Sequence, residues 1–474
     1  MKGVLSMDDL RKVGKVVAGD ALTGSGFIDQ PVAVIDSRAV RGGEIFIALK
    51  GERTDGHEFL DDVFQKGASW AMVSREWHES RGSAPPPEGK GLIVAEDTVA
   101  GLQLLGAFYR DTFTVPVVAV GGSNGKTTTK EMVASVLGSG YTVQMSRGNM
   151  NNHLGVPLTL LQLRRDTGIA VVEMGINHPG EMLQLASMAR PTHGLLTNIG
   201  HEHLEFLIDL DGVAAEELAL FDYLRTTGGT CFVNRDDQRL RAAGAALPGH
   251  ISYGLDENPE NSCFARDISV GRDGRICFTL CSGGGSTSVA LNFTGRHNVI
   301  NAVAAAAVGR HFGLDLCTIG EGLARLVPAP GWKRLEVLDA SGIRILNDTY
   351  NANSDSMRLA IDALCDMPCD GRRVAVLADM LELGAAGDVE HEAVGRYIQQ
   401  RPVDLLYTFG DKARLVCLEA TGRCSGHFEH RESLLEALKS VLKAGDVVLF
   451  KGSRGMKLEQ FVEAIEKERK QQQM

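Results

Sequence analysis

Long apolar runs are missing from this chain of 474 residues. No stretch approaches the roughly 20 apolar residues that a helix needs to span a bilayer. The opening residues carry the charges of Lys2, Asp8 and Asp9, where a secretion signal would need a continuous apolar segment. These absences predict a protein of the cytoplasm without membrane insertion.

Cysteine spacing typical of structural zinc sites is also missing. The nine cysteines are scattered. The closest pairs, Cys277 with Cys281 and Cys365 with Cys369, lack the paired C-x2-C pattern. We therefore expect free thiols, buried or half-buried.

Positive charge is in short supply. The chain has 49 Lys and Arg against 60 Asp and Glu, a net charge of -11. A general nucleic-acid-binding surface gathers Lys and Arg to neutralise phosphates, so this class of partner is excluded. A local basic site for a small phosphorylated ligand remains compatible with this charge.

Proline-bearing stretches divide a chain that is too long for one ordinary domain. The stretches at 110–116 and 326–331 are the predicted boundaries, since proline and glycine interrupt regular structure there. The predicted domains are 1–112, 113–328 and 329–474.

Apolar strand candidates alternate with helical segments along most of the chain, which indicates an α/β fold with mostly parallel sheets. We predict a small N-terminal α/β domain, a central P-loop ATPase-like parallel sheet and a C-terminal doubly wound, Rossmann-like domain. Shorter alternating runs at 251–293 predict an antiparallel β addition to the central sheet. The principal strand candidates are 70–73, 92–95, 117–120, 169–172, 194–197, 343–346, 373–377, 405–408 and 447–450.

A glycine-rich loop, G-S-N-G-K-T-T at 122–128, lies between a buried strand and a helix. Its glycines let backbone N–H groups approach phosphate oxygens, and the helix N-terminus adds positive potential. Lys126 can reach the outer phosphates and Thr127 can ligate magnesium. A chance glycine turn is the alternative, but the strand and helix around the loop favour nucleotide binding. The predicted phosphate-binding residues are Gly122, Ser123, Asn124, Gly125, Lys126, Thr127 and Thr128.

Glu173 ends the strand candidate at 169–172, where a carboxylate faces the nucleotide in this topology. Magnesium prefers such oxygen ligands. The next strand leads to His201 and His203, but we predict no zinc site because no cysteine or third histidine lies nearby in the sequence.

Further motifs follow in order along the chain. They are T-N-I-G-x-x-H-L at 197–204, G-R-H-N-V-I-N-A at 295–302, N-D-T-Y-N-A-N-S-D-S-M at 347–357, D-M-L-E-L-G at 379–384, His391, and K-G-S-R at 451–454. Together with the phosphate loop and Glu173, these motifs resemble the Mur ligase family over nearly the whole chain.

Within that family, the motifs most resemble the branch that joins D-alanyl-D-alanine to UDP-N-acetylmuramoyl-tripeptide. D-S-R at 36–38 and T-D-G-H-E-F at 54–59 match segments that hold the uridine nucleotide end, and the loop at 148–157 resembles a precursor-binding loop. The D-N-P-R signature of the relative that adds a diamino acid is absent from the sequence. The resemblance implies an ATP-dependent amide ligase that works through an acyl phosphate, with ATP, two Mg2+ ions, the precursor and the dipeptide as its ligands. A monomer is expected.

The resemblance also implies roles for individual residues. Catalytic roles fall to Lys126, His203, Glu217 and Asp348. Nucleotide contacts beyond the loop fall to Asn298, Asn301, Arg334 and Asp348. Metal ligands are Thr127, Glu173, His203 and Glu217. Substrate contacts fall to Ser37, Arg38, Asp55, Gly56, His57, Asn149, Asn151, Asn152, Tyr350, Asn351, Asn353, Lys451, Ser453 and Arg454.

Glu217 marks a departure from the family pattern. Many members place a carbamylated lysine in this helix, where its carboxylate supports the second metal. We predict that Glu217 supplies that negative charge directly. Glu216 is the alternative if the register is off by one, and a solvated glutamate on the helix face is the alternative without function.

Two other functions compete with this interpretation. One is a sister ligase that adds a different amino acid or acts on a folate-type substrate, although the uridine-site match argues against the folate branch. The other is a catalytically silent ATP-binding switch, which the changed lysine position suggests. Lys126, Glu173 and His203 are all present, and this argues against the switch.

Overall fold

The structure is a computed structural model that describes residues 2–18 and 27–472. Over these residues it is an α/β protein with three large sheets that follow one another along the chain. No helix in this part of the chain is long and apolar enough to cross a membrane.

The N-terminal sheet has five strands in the order β2-β7-β6-β5-β4, and β1 pairs with β3 beside it. Only β2 runs antiparallel to its neighbour; the other pairs in the five-stranded sheet are parallel. The strands are β1 (Val4–Ser6), β2 (Lys15–Ala18), β3 (Phe27–Asp29), β4 (Ala33–Val34), β5 (Ile45–Ile47), β6 (Trp70–Ser74) and β7 (Gly91–Ala95), and the helices are α1 (Met7–Val13), α2 (Leu60–Gln65), α3 (Arg75–Ser80) and α4 (Thr98–Asp111).

The central sheet has nine strands in the order β16-β15-β14-β13-β12-β11-β8-β10-β9. Its inner strands β8 and β10 are buried along their whole length, as expected for a parallel sheet covered on both faces. The strands are β8 (Val117–Gly121), β9 (Val143–Met145), β10 (Ile169–Glu173), β11 (His193–Leu196), β12 (Thr230–Asn234), β13 (Ile251–Tyr253), β14 (Asn261–Val270), β15 (Ile276–Ser282) and β16 (Gly285–Leu291), and the helices are α5 (Lys126–Leu137), α6 (Gly155–Leu160), α7 (Glu181–Ala189), α8 (Leu204–Leu207), α9 (Leu210–Thr227), α10 (Gln238–Gly244), α11 (His297–His311) and α12 (Leu316–Arg325).

The predicted antiparallel addition at 251–293 is smaller than expected. Strands β13 and β14 extend the parallel part of the sheet, because β13 pairs parallel with both β12 and β14. Only β15 and β16 add antiparallel pairs at the edge. The short alternating runs correctly predicted that strands occur here. Whether neighbouring strands are parallel or antiparallel depends on how the connections between them cross the sheet.

The C-terminal sheet has six strands in the order β17-β18-β22-β19-β20-β21, parallel except for the edge strand β17. The strands are β17 (Glu336–Ala340), β18 (Ile343–Asp348), β19 (Arg373–Ala378), β20 (Leu405–Phe409), β21 (Cys424–Phe428) and β22 (Val447–Lys451), and the helices are α13 (Ser354–Asp366), α14 (Gly387–Gln399), α15 (Ala413–Glu419), α16 (Arg431–Val441) and α17 (Glu459–Gln472).

Helix α4 joins the N-terminal sheet to the central domain. It packs against α6 and α7, and a Cβ on its Gly106 would lie 2.7 Å from the Pro157 Cβ, so the contact needs a glycine. The buried Arg110 side chain donates from Nε to the Ala189 carbonyl at 2.9 Å. The predicted boundaries after residues 112 and 328 fall in the connections between α4 and β8 and between α12 and β17.

The expectation of free thiols is wrong for two cysteines. Cys417 in α15 and Cys424 at the start of β21 form a disulfide, with their Cα atoms 5.2 Å apart. The turn between α15 and β21 brings the two Cα atoms within the range that a disulfide spans. The other seven cysteines are free.

Candidate active site

A cavity of about 370 Å³ lies between the central and C-terminal domains, at the carboxyl ends of β8, β10 and β18. Ligands of open parallel sheets bind at this edge. Most of the predicted site residues meet in its wall. They are Ser123, Asn124, Gly125, Lys126, Thr127, Thr128, Asn149, Asn151, Asn152, Glu173, His203, Asn298, Asn301, Arg334, Asp348, Tyr350, Asn351, Asn353 and Lys451.

The phosphate loop connects β8 to α5, and two of its glycines adopt conformations that other residues rarely take. Gly122 has φ +106°, and a Cβ there would lie 2.3 Å from the Thr197 Oγ1. Gly125 has φ +84° and directly precedes Lys126, the first residue of α5. The first N–H groups of a helix have no partner within the helix and attract anions. The loop therefore presents backbone donors and the Lys126 ammonium to the cavity.

The motif at 197–204, which follows β11, forms hydrogen bonds with the backbone of the phosphate loop. The Asn198 carbonyl accepts from the Ser123 N–H at 2.8 Å. The Asn198 side chain accepts from the Asn124 N–H at 3.0 Å and donates to the Asn124 carbonyl at 2.9 Å. Strand β11 lies next to β8 in the sheet, so this motif is a neighbour of the loop despite its distance in sequence. Its first role is to fix the loop backbone.

Glu173 lies at the end of β10, and its two carboxylate oxygens have different surroundings. Its Oε1 accepts from the Thr127 hydroxyl at 3.1 Å and from the Asn151 amide at 2.9 Å. Its Oε2 is buried without a hydrogen-bond partner and lies 3.6 Å from the Lys130 ammonium. A buried oxygen left unpaired beside a nucleotide loop is available to a cation.

Glu217, fully buried in α9, lies beneath the phosphate loop and outside the cavity wall. Its Oε2 accepts from the Gly122 N–H at 2.8 Å, while its Oε1 has no hydrogen-bond partner. Burial raises the pKa of this carboxyl to about 8, against the opposing effect of Lys126. The solvated-glutamate alternative is therefore wrong, because the side chain has no exposure to solvent.

The alternative residue, Glu216, has a different role. Its two carboxylate oxygens accept from the N–H groups of Gly180 and Met182, each at 2.7 Å. Glu216 therefore caps the start of α7, and only Glu217 of the pair contacts the phosphate loop.

His203 connects the cavity to the C-terminal domain. Its Nδ1 lies 3.2 Å from the Glu382 Oε2, and this hydrogen bond lowers the pKa of the Glu382 carboxyl. Its Nε2 lies 3.8 Å from the Glu202 carboxylate. A histidine whose Nδ1 is held by a carboxylate presents Nε2 as a ligand, an arrangement common at metal sites.

The donor set fits magnesium rather than zinc. In the described part of the chain, no group of three or more His, Cys, Asp or Glu side chains is placed to coordinate a metal ion by itself. Magnesium is usually held by one or two carboxylates together with substrate phosphates and waters. The free oxygens of Glu173 and Glu217, with the Thr127 hydroxyl, match that requirement.

Helix α11 carries two of the predicted nucleotide contacts, and a third, Arg334, lies just before β17. Asn298 and Asn301 are buried, and the Asn301 amide donates a hydrogen bond to the Asn298 side-chain oxygen at 3.0 Å. The guanidinium of Arg334 lies 3.9 Å from the centroid of the Tyr350 ring, a cation–π contact. Both residues lie in the wall of the cavity.

The C-terminal wall of the cavity centres on a buried ion pair. The Lys451 ammonium lies 2.6 Å from the Asp348 carboxylate and donates to the Asn351 carbonyl at 3.0 Å. Asn353 caps α13, and its amide donates to the Asn124 side chain at 3.1 Å. This last bond joins the C-terminal domain directly to the phosphate loop.

Two predicted contacts of the C-terminal domain lie outside the cavity wall. The Ser453 hydroxyl is buried; it accepts from the Leu381 N–H at 2.8 Å and donates to the Ala352 carbonyl at 3.4 Å. The Arg454 guanidinium lies 5.8 Å from the Tyr350 ring centroid. Ser453 therefore supports the loop that carries the cavity residues.

The five predicted residues of the N-terminal domain also lie outside this cavity. The His57 ring is buried; its Nδ1 lies 2.6 Å from Asp55 and its Nε2 accepts from the Ser74 N–H at 2.9 Å. With both nitrogens engaged, His57 orders its own loop. Arg38 is exposed and paired with Asp36 at 2.7 Å. The other predicted residues of this domain are Ser37, Asp55 and Gly56.

Two titratable residues of the cavity wall, Glu202 and His297, were missed by reasoning from the sequence. Glu202 lies 3.4 Å from the Lys126 ammonium, although it occupies a variable position of the histidine motif. His297 lies in the wall beside the Asp348 and Lys451 pair, and burial lowers its pKa to about 4. His297 lies within the motif at 295–302, so its position in that motif was the available signal.

The fold and the cavity define a nucleotide-binding α/β protein with three domains. Comparison with protein families assigns each domain. Residues 32–94 match the Mur ligase family, catalytic domain, residues 120–309 the Mur ligase middle domain, and residues 333–454 the Mur ligase, glutamate ligase domain.

Similar proteins agree with these domain matches. The chain is 36% identical to the UDP-N-acetylmuramoyl-tripeptide--D-alanyl-D-alanine ligase of Bacillus subtilis, over 91% of this chain and 92% of that protein. It is 35% identical to the ligase of the same name from Escherichia coli, with the same coverage of both chains. The chain belongs to the Mur ligase family.

Solved structures resemble the whole chain. A crystal structure of MurF from Acinetobacter baumannii has a TM-score of 0.84 at 30% identity, covering 98% of this chain and 99% of that one. MurF ligase from Thermotoga maritima in complex with ADP has a TM-score of 0.80 at 28% identity, covering 94% and 99%. The predicted three-domain α/β fold is confirmed.

Proposed function

We propose that this protein joins D-alanyl-D-alanine to UDP-N-acetylmuramoyl-tripeptide, using ATP and forming ADP and phosphate. The relatives from Bacillus subtilis and Escherichia coli carry the name of this activity and match about nine-tenths of the chain. The geometry of the cavity supports the same reaction class, because it places a phosphate loop opposite polar residues of a second domain.

The observation that carries the proposal is the junction of three segments at Glu173. Thr127 of the phosphate loop and Asn151 of the predicted precursor loop both donate to its Oε1, at 3.1 and 2.9 Å. A nucleotide and an acyl substrate held by these two segments would meet beside one carboxylate. That is the geometry that phosphoryl transfer from ATP to a carboxylate requires.

The reaction has two steps. The terminal carboxylate of the precursor attacks the γ-phosphorus of ATP, an oxygen–phosphorus bond forms, and ADP leaves as the bond to its bridging oxygen breaks. The amine of the dipeptide then attacks the acyl carbon. Phosphate leaves with the electrons of the carbon–oxygen bond, and the new amide nitrogen releases a proton.

Residues of the phosphate loop stabilise the charge that develops in the first step. The N–H groups at the start of α5 bind the outer phosphates, and Lys126 places its ammonium beside the transferred group. Burial opposes its charge, but the carboxylates of Glu202, Glu217 and Glu173 raise the pKa of Lys126 above its ordinary value. Lys126 therefore stays charged at neutral pH.

Magnesium would neutralise phosphate oxygens; Thr127, Glu173 and His203 would hold one ion, and Glu217 would support a second. Glu217 supplies a buried carboxylate with one free oxygen where many family members have a carbamylated lysine.

The C-terminal domain contributes the site for the incoming dipeptide. Asp348, Tyr350, Asn351 and Asn353 form the wall opposite the phosphate loop, and Lys451 orders this wall through its bonds to Asp348 and Asn351. We assign the precursor's uridine end to the N-terminal domain, in residues 1–112, and place the reaction in the cytoplasm with the protein as a monomer.

The test is phosphate release from ATP in the presence of UDP-N-acetylmuramoyl-tripeptide, with and without D-alanyl-D-alanine, together with the mass of the product. Phosphate release that depends on the dipeptide supports the proposal if the product is heavier than the precursor by the mass of D-alanyl-D-alanine less one water. Release with a single amino acid would assign the chain to a sister ligase. Absence of release with every amine would favour an ATP-binding switch.

A further inference from the structure

Lys130 is a lysine of α5 with no exposure to solvent, one helical turn after the phosphate-loop lysine. A buried ammonium is costly unless its three donors find partners. Here the Nζ donates to the carbonyls of Ser146 and Gly148, at 2.7 and 3.0 Å. It also lies 3.1 Å from the Glu131 carboxylate.

Both carbonyl partners of Lys130 lie at the start of the 146–152 segment, which we call the precursor loop. Ser146 accepts from the Glu173 N–H through its hydroxyl at 3.1 Å. Asn151, further along the loop, donates to the Glu173 carboxylate at 2.9 Å. The loop is therefore anchored at its start by Lys130 and near its end by Glu173.

The Lys130 ammonium also lies 3.6 Å from the Glu173 Oε2, which has no hydrogen-bond partner. One buried charge, carried by the helix that follows the phosphate loop, thus faces both the backbone of the precursor loop and the proposed metal carboxylate. Gly148, Asn149 and Asn152 are exposed. The Gly175 N–H donates to the Asn151 carbonyl at 2.8 Å and so holds the later part of the loop, whereas the Gly148 carbonyl is held by Lys130.

We propose that Lys130 is a positioning residue that holds the precursor loop in its binding conformation against the helix of the nucleotide site. This inference rests on the proposed function, because it takes UDP-N-acetylmuramoyl-tripeptide as the ligand of the loop. Lys130 is not part of the cavity wall, and it acts through the loop backbone.

The test compares Lys130→Met with Lys130→Gln in the full-length protein. Methionine removes every donor at similar length, whereas glutamine keeps an amide that can reach one carbonyl. We expect Lys130→Met to raise the KM for the precursor at least tenfold and to speed amide hydrogen exchange in 147–152 by a similar factor. The Kd for ADP and kcat at saturating precursor should change less than threefold, with Lys130→Gln between wild type and Lys130→Met.

Lys90→Met is the matched control, because the Lys90 ammonium donates to the Ala68 carbonyl at 2.7 Å in the N-terminal domain. It should change neither readout. A folded Lys130→Met protein with unchanged precursor KM and unchanged exchange would overturn the inference, and so would an equal loss of ADP binding. If Lys130→Met does not fold, the same readouts on Lys130→Gln decide.

Failure of the proposed function has a different signature. Wild-type protein would then show no turnover of the precursor, while exchange in 147–152 would still report whether Lys130 holds the loop.

Discussion

The Lys126 ammonium lies 3.4 Å from both carboxylate oxygens of Glu202. The lysine that faces the phosphates is thus already paired with a buried carboxylate in the free protein. Burial raises the pKa of Glu202 against the opposing effect of Lys126. An incoming nucleotide has to share this lysine with Glu202, or displace it.

Glu202→Gln should therefore tighten ADP binding in the absence of Mg2+. The change removes a negative charge beside the phosphates and releases Lys126, and we expect a Kd about fivefold lower, equivalent to about 1 kcal/mol. Isothermal titration calorimetry in EDTA measures it. Weaker binding would indicate instead that Glu202 is needed to orient Lys126.

Glu217→Gln should weaken metal binding without unfolding the protein. The amide oxygen can still accept from the Gly122 N–H, but the side chain can no longer ionise when a cation binds near Oε1. We expect the Mn2+ Kd, measured by electron paramagnetic resonance with ADP bound, to rise about tenfold or more. Glu216→Gln is the matched control, since Glu216 caps α7 and should affect stability alone. Equal metal affinity in both variants would refute a metal role for Glu217.

Asp348→Asn should destabilise the protein as well as abolish activity. It leaves the buried Lys451 ammonium without its carboxylate, a loss that costs about 3 kcal/mol or more. Adding Lys451→Met should restore much of the unfolding free energy, because no unpaired charge remains, but should not restore ligation. Urea denaturation of the single and double variants tests this, and additive losses would contradict it.

Tyr350→Leu should weaken ADP binding about fivefold, which corresponds to about 1 kcal/mol. The Arg334 guanidinium lies over the ring at 3.9 Å and would lose the surface that orients it. Tyr350→Phe keeps the ring and should stay within twofold of wild type. If the two variants behave alike, the ring does not position Arg334.

Acid should destabilise the contact between His193 and His311, whose Nε2 atoms lie 3.0 Å apart. Burial, with a smaller effect of His311, lowers the pKa of His193 to about 4. The folded pKa lies below the ordinary 6.5, so the stabilisation is present above pH 6.5 and is lost as the pH falls toward 4.

The variant His193→Gln measures this effect, because it removes the group whose pKa is lowered. From pH 7.5 to 5, we expect wild type to lose about 1 kcal/mol more unfolding free energy than the variant, after allowance for the partial exposure of His193. Thermal unfolding at the two pH values provides the comparison. Parallel losses in both proteins would show that the pair does not titrate with folding.

Local patterns were enough to predict the strands and the phosphate loop. Buried strands such as 117–120 and 169–172 are apolar along their length because both faces of a parallel sheet are covered. The spacing of Gly122, Gly125 and Lys126 specifies a loop before a helix whatever the rest of the chain does. Glu173 followed from its place at a strand end.

Other features depend on elements that meet only in the folded chain. Asn198 supports the phosphate loop because β11 lies beside β8 in the sheet. The residues of the two strands do not by themselves specify this strand order. Glu216 and Glu217 are adjacent in sequence, but one residue turns a helix by about 100°, so one caps α7 and the other lies under the loop. The ring of His57 turns inward to Asp55 and Ser74, a placement that its local motif did not specify; its contact with substrate stays a prediction.

The sequence by itself determined the α/β alternation, the nucleotide loop and the family, because each is carried by short segments whose chemistry does not depend on distant contacts. Only the tertiary structure decided the parallel course of β13 and β14, the pairing of Cys417 with Cys424, and the placement of Glu202 against Lys126. The physical reason is that the partners of a side chain depend on which elements pack against it. Long-range packing fixes the direction of a strand and the distance between two side chains, and no local pattern contains this information.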